Sequence, residues 1–158
     1  MQKLLLFLLL LCAGTASAQS GASQSIGLLT GAGVSRYPYV ELGLSKNSMA
    51  YGGRHAVSAA WYFSSELHVA GKPVLGPKIG GWVAVLPFAL GLNGIAYTDF
   101  GATCWVLQPE AGLGFDRLKL TYAMNIRLSK EPFDRIAPHA LGLAWCFRLK
   151  KLEERHGN

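Results

Sequence analysis

Large apolar residues alternate with small or polar ones along most of this chain. Leu118, Leu120, Tyr122, Met124, Ile126 and Leu128 share one parity; Lys119, Thr121, Ala123, Asn125 and Arg127 share the other. Leu141, Leu143, Trp145, Phe147 and Leu149 interleave in the same way with Ala140, Gly142, Ala144, Cys146 and Arg148. A period of two is the mark of a strand, whose successive side chains point to opposite faces. The same alternation runs through Trp105, Leu107, Leu113 and Phe115, through Val57, Ala59, Trp61 and Phe63, through Ile79, Val83 and Val85, and through Val40, Leu42 and Leu44. Residues 25–35 and 87–99 are noisier and predict one strand each. The expected set is eight strands, at about 25–35, 38–46, 55–67, 74–85, 87–99, 103–115, 118–129 and 139–149.

The connections are short. Asp116-Arg117 reads as a two-residue hairpin turn. Leu86-Pro87 breaks a strand because proline cannot donate to a ladder. Lys130 to Pro138 is the longest late loop, polar and with two prolines. The uncharged stretch from Ile79 to Thr98 is long enough for a transmembrane helix. Pro87 near its middle and Gly80, Gly81, Gly91 and Gly94 oppose a helix there, and a hairpin is expected instead.

The second parity decides what kind of sheet this is. A soluble sandwich turns its polar parity to water and fills it with charge. Here that parity is mostly Gly, Ala, Ser and Thr with scattered charges, which suits a narrow enclosed lumen. The large parity then faces lipid, as expected for Leu118, Leu120, Tyr122, Met124, Ile126, Leu141, Leu143, Trp145 and Phe147. Lipid leaves no partner for a raw sheet edge, so the sheet must close. The fold expected is all-β, an eight-stranded antiparallel up-and-down transmembrane barrel. Aromatic residues fall near strand ends, Tyr37, Tyr39, Trp105 and Tyr122 among them, and some are candidates for interfacial girdles.

The N-terminus changes the reading of location. Lys3, the Leu/Phe run from Leu4 to Leu11 and the small residues of Ala16-Ser17-Ala18 form the three parts of an export signal. Cleavage is expected after Ala18, so that 1–18 is signal peptide, 19–149 barrel and 150–158 a charged C-terminal tail. Leu11 before Cys12 is too large for a lipobox. Of 158 residues, 51% are hydrophobic, and three cysteines exclude a disulfide-dense scaffold. The net charge of +6 is spread singly along the chain, and with export it argues against a nucleic-acid partner. Cys104 and Cys146 remain after cleavage, and an oxidising compartment permits a bridge between them.

Gly76-Pro77-Lys78-Ile79-Gly80, Ala89-Leu90-Gly91-Leu92-Asn93 and Leu118-Lys119-Leu120-Thr121-Tyr122, together with the signal and the eight strands, resemble small outer-membrane β-barrel proteins of the Bacteroidetes type. The resemblance implies a monomer in the outer membrane of a Gram-negative cell, with outer-membrane lipid and the barrel assembly machinery as partners. Many such barrels end on an aromatic residue, whereas here eleven residues follow Phe147.

Candidate chemistry is confined to the lumen parity. Glu41, Lys78, Glu110, Lys119 and Arg127 are its charges, with Asn93, Gln108 and Asn125 as neutral partners. An eight-stranded interior is just wide enough for side chains, so these charges are expected to pair and fill it. His55, His68, His139 and His156 share no metal-ligand spacing, the serines have no nucleophile-elbow context, and no glycine cluster opens a phosphate-binding helix. The reading is a non-enzymatic barrel without metal or cofactor, with a structural, adhesive or binding role. A secreted soluble sandwich or lipocalin-like binder, and a small barrel enzyme, are the alternatives.

Overall fold

A computed structural model describes residues 21–51, 56–69, 72–85, 87–115, 117–129 and 133–156. The expected signal peptide lies outside them. The strands are β1 (Gly21–Val34), β2 (Pro38–Tyr51), β3 (Val57–His68), β4 (Val74–Val85), β5 (Phe88–Thr98), β6 (Thr103–Phe115), β7 (Leu118–Met124), β8 (Ile126–Arg127) and β9 (His139–His156). β7 and β8 both pair with β6 and form one stave of the wall, interrupted at Asn125. The Asn125 amide there turns to the Pro138 carbonyl, 2.7 Å away. Every neighbouring pair is antiparallel, and β9 returns to pair with β1. The result is a closed eight-stranded up-and-down barrel.

The uncharged stretch forms the hairpin β4–β5. Val85 pairs with Phe88, and Phe115 with Leu118, so each connection is two residues long. Leu86 and Asp116 themselves lie outside the described residues. One end of the barrel carries Gly21 and His156, the two ends of the described wall, and the points where β2, β4 and β6 finish. The opposite, loop end carries 35–37, 69, 72–73, 99–102, 128–129 and 133–138.

Residues 150–156 are not a tail. They continue β9 and pair with the first residues of β1, which itself starts earlier than expected. Gly27 pairs with Arg148, Ile26 with Lys150, Ser25 with Lys151 and Gln24 with Glu153, so the register shifts twice and passes over Leu149 and Leu152. Each such bulge adds a residue to one strand and resets which side chain faces inward. That reset erases the period of two and makes a strand read as a run of charges.

The outer surface is a belt of large apolar side chains. Trp61, Phe63, Ile79, Phe88, Leu90, Trp105, Leu143 and Phe147 are all exposed, Phe88 by 70% and Leu90 by 66%. Of the nine residues expected to face outward, Leu120, Tyr122, Met124, Ile126, Leu141, Leu143, Trp145 and Phe147 are exposed, and Leu118 is half-buried. Tyr39, a girdle candidate, is instead buried inside, because it shares the parity of Glu41.

Inside, two apolar layers enclose a polar one. Toward the terminal end, Leu29, Ala60, Trp82, Ala84, Ala89, Ala144 and Cys146 cluster with Tyr62. Toward the loop end, Val74, Ile95, Tyr97, Cys104 and Val106 receive Phe133 and Ile136 from the loop 128–138. That loop was expected to be polar; it seals the mouth, with Phe133 4% and Ile136 1% exposed. Its carbonyls are held from the wall: Asn125 Nδ2 donates to Ala137 at 2.8 Å, Arg127 to Ile136 at 2.7 Å, and Arg36 to Asp134. The two thiols fall in separate layers and are free, so no bridge joins them. Removing the Phe133 ring costs about 3 to 5 kcal/mol of packing in this layer. Phe133→Ala should therefore speed thiol-reagent labelling of Cys104 and leave Cys146 unchanged, as read by mass spectrometry.

Candidate functional site: a buried polar belt

The middle layer is built by inward positions of six staves. Lys78 on β4 reaches two carboxylates at once: Glu41 on β2 at 3.2 and 3.3 Å, and Glu66 on β3 at 2.9 Å. Ser64 donates to Glu41 at 2.6 Å. Tyr97 donates to the second oxygen of Glu66 at 2.6 Å, and His68 Nε2 lies 3.3 Å from that same atom. The His68 ring is packed between Tyr39 and Tyr97, with centroids 5.0 and 5.4 Å away. All of these side chains are buried, Glu66 to 1% and Lys78 to 4% exposure.

A second group faces the first across the lumen. Lys119 on β7 pairs with Glu110 on β6, and Thr121 stands 3.5 Å from the other Glu110 oxygen. Glu110 sits in the space a side chain at position 91 would take, since a Cβ on Gly91 would come within 2.8 Å of its Cγ. Glycine there lets the carboxylate cross toward Lys119. Tyr62 lies between the groups. Lys78 is 5.9 Å and Lys119 5.2 Å from its ring centroid, and its hydroxyl donates to Asn93 at 2.5 Å. Asn93 donates to Gln108 at 3.0 Å, Gln108 to Asn125 at 2.9 Å, and Asn125 to the Ala137 carbonyl of the sealing loop. One chain of hydrogen bonds thus runs from the ion pairs to the lid over the mouth.

Four of the five expected lumen charges, Glu41, Lys78, Glu110 and Lys119, are brought into this belt. Arg127 is not: it is exposed at the loop-end rim and spends its guanidinium on Ile136. Lys119, on the strand joined to that of Glu110 by the β6–β7 turn, is its partner, although the register sets Lys119 opposite Gly114. Glu66, Tyr62, Tyr97 and His68 complete the belt without having been singled out. The signal for Glu66 was present, since it follows Tyr62 and Ser64 on one parity of β3.

The belt braces the wall and leaves little room. The gap lined by Tyr39, Glu41, Lys78, Glu110, Lys119 and Thr121 has a volume of about 10 Å³, space for about one water. A buried ion pair lowers its own desolvation cost only when its geometry is good and its remaining valences are met; here hydroxyls of Ser64, Tyr97 and Thr121 and the His68 ring stand at the carboxylates. Among the described residues no three His, Cys, Asp or Glu side chains are placed to share a metal ion. At the loop end, Asp99 accepts from the amides of Gly101 and Ala102 at 3.1 and 2.9 Å, which holds its carboxyl below the usual range, with Arg135 adding a 3.3 Å ion pair.

The class these features define is a closed, up-and-down barrel with an apolar exterior and a filled polar interior. No protein-family model, curated protein or solved structure matches the chain.

Proposed function

We propose that this chain is an exported, integral outer-membrane barrel of the Bacteroidetes type, acting without catalysis as a structural, adhesive or binding element. The observation that carries the reading is the inversion of polarity: Trp61, Phe63, Phe88, Leu90, Trp105 and Leu143 stand outside, while Glu41, Glu66, Lys78, Glu110 and Lys119 are buried within. Lipid is the environment in which such an exterior carries no hydration penalty, and a closed ladder leaves it no unpaired backbone. Soluble barrels that carry ligands keep an apolar cavity; here ion pairs and amides occupy that space, and Phe133 and Ile136 close the mouth. A pore is opposed by the same filling.

The functional surface is then the loop end and the outer wall. The mature protein should fractionate with outer membranes and require detergent. Unheated and heated samples should migrate differently on a denaturing gel, and planar bilayers should show no steady conductance. A monomer stable in plain buffer overturns the membrane reading, and a large steady conductance overturns the filled lumen.

A further inference from the structure

The gap in the polar belt lies over the ladder between β1 and β9. One row of register partners crosses that ladder: Tyr39 on β2 stands opposite Gly33 on β1, Gly33 opposite Gly142 on β9, and Gly142 opposite Thr121 on β7. A Cβ on Gly33 would run into the Tyr39 ring, so the ring lies over the place where that side chain would stand. A Cβ on Gly142 would be 2.7 Å from the Tyr39 hydroxyl and 3.7 Å from Thr121 Oγ1. The hydroxyl of Tyr39 therefore reaches across both glycines toward the Glu110–Lys119 group, although its own strand carries Glu41 of the other group. In the next inward row, Glu41 stands opposite Gly31, Gly31 opposite Ala144, and Ala144 opposite Lys119. Small residues of β1 and β9 thus floor a space with polar groups on both flanks.

Two of those groups have unmet valences. Tyr39 is 7% exposed, and its hydroxyl makes no hydrogen bond among the described residues. The second oxygen of Glu110 is met by Thr121 at 3.5 Å, the outer limit of a hydrogen bond, while the first holds Lys119. Lys78 differs, since it directs its ammonium at both oxygens of Glu41 and one of Glu66.

The lining narrows the class of ligand. Lys78 and Lys119 border the gap and oppose a cation; Glu41 and Glu110 border it and oppose an anion. Its volume of about 10 Å³ admits a single small molecule. A phenol O–H on one flank and a carboxylate oxygen on the other call for a neutral molecule that both accepts and donates. Water meets all of these conditions.

We propose that the gap seats one long-lived water, which accepts from the Tyr39 hydroxyl and donates to Glu110 Oε2 and Thr121 Oγ1. About three hydrogen bonds are usual for a buried water. This water links the two ion-pair groups: it ties β2 to β6 and β7 over the β1–β9 ladder, where glycine and alanine leave space for it. The seat rests on the closed register of these strands and does not depend on what surrounds the wall.

Oxygen-17 relaxation dispersion of the solvent counts waters held longer than the protein takes to tumble, and exchanging hydroxyl protons do not contribute to it. The mature protein is measured in detergent micelles beside Gly142→Ala and Thr121→Val. The alanine methyl stands where the water is held, so Gly142→Ala should lose one long-lived water. Thr121→Val keeps the shape and removes one partner, and should shorten the residence of that water about fivefold. Urea unfolding supplies a second readout. Tyr39→Phe and Thr121→Val should each lower the folding constant about fivefold. No hydrogen bond joins Tyr39 to Thr121 directly, so their coupling passes through the water. The double variant should then fall about fivefold short of the product of the single effects, because either change alone breaks the bridge.

An unchanged water count in folded Gly142→Ala overturns the proposal, as do independent effects of Tyr39→Phe and Thr121→Val. Replacing sodium by N-methylglucamine at equal ionic strength should leave the folding constant unchanged. A fall that Gly142→Ala abolishes would make the occupant a cation and overturn the water. Heat-dependent gel mobility verifies folding; if Gly142→Ala does not fold, the residence in Thr121→Val and the double-variant cycle decide.

Discussion

Lys78→Met should leave little folded barrel. Among the described residues Lys78 is the one cation that touches both Glu41 and Glu66, and all three are buried. Taking out one member of a buried ion pair costs about 3 to 5 kcal/mol, because the remaining charge keeps its desolvation penalty and loses its partner. Here two carboxylates are left facing each other, on neighbouring strands joined by the Glu41–Glu66 register pair. The loss is expected at or above the upper end of that range, comparable to the whole stability of an ordinary domain. Adding Glu41→Gln and Glu66→Gln to Lys78→Met should restore much of it, since amides need no counter-charge. Urea unfolding in lipid vesicles, followed by tryptophan fluorescence and gel mobility, reads both results. If the triple variant is no more stable than the single one, the loss is one of packing and the electrostatic account fails.

Leu143→Arg should have the second-largest effect, and its size should depend on position along the wall. Leu143 is exposed in the middle of the β9 segment that spans the barrel, paired with Leu120 on β7 and with Ala32 on β1. An arginine at the bilayer midplane costs about 2 to 4 kcal/mol, falling to about 0 to 1 near the interfaces. Ile26→Arg supplies the comparison. Ile26 is also exposed, but its ladder partners are Lys46 and Lys150, so it already lies among charges. The pair of variants should therefore differ by a few kcal/mol in vesicle-based urea unfolding. Equal and negligible costs would mean that the apolar belt faces water.

Much of this molecule could be read from a period of two, and the failures lie where that period is weak or absent. The strands β3, β4, β6 and β7 were legible from their alternation, while β5 lies in the noisier stretch 87–99. Glu41, Lys78, Glu110 and Lys119 followed from parity alone. Glu66 was obscured by Ser64-Ser65 before it and Leu67 after it, where the contrast between faces is weak. Arg127 keeps the parity and the register of its stave, but it stands at the loop-end rim, where its guanidinium reaches the Ile136 carbonyl and not the belt. The stretch 150–156 lost its period to two bulges. Phe133 and Ile136 lie among prolines and charges, and no local pattern announces that a loop will fold inward. Glu66 lies in a regular strand of weak contrast, Arg127 at a strand end, and the remaining misses at two bulges and in a loop.

The seam between β1 and β9 joins residues at the two ends of the described chain, with Gly21 opposite His156. Every other seam joins neighbours in sequence through a hairpin, and such local pairings form early and cheaply. The barrel therefore has one slow joint. Until β9 is in place, β1 and β7 are open edges, each ready to pair with whatever strand comes near. The order of events is set by topology: hairpins first, closure last. A chain stopped before His139 would be a curled sheet whose two edges invite each other's neighbours, and its fate would depend on how long those edges are kept apart.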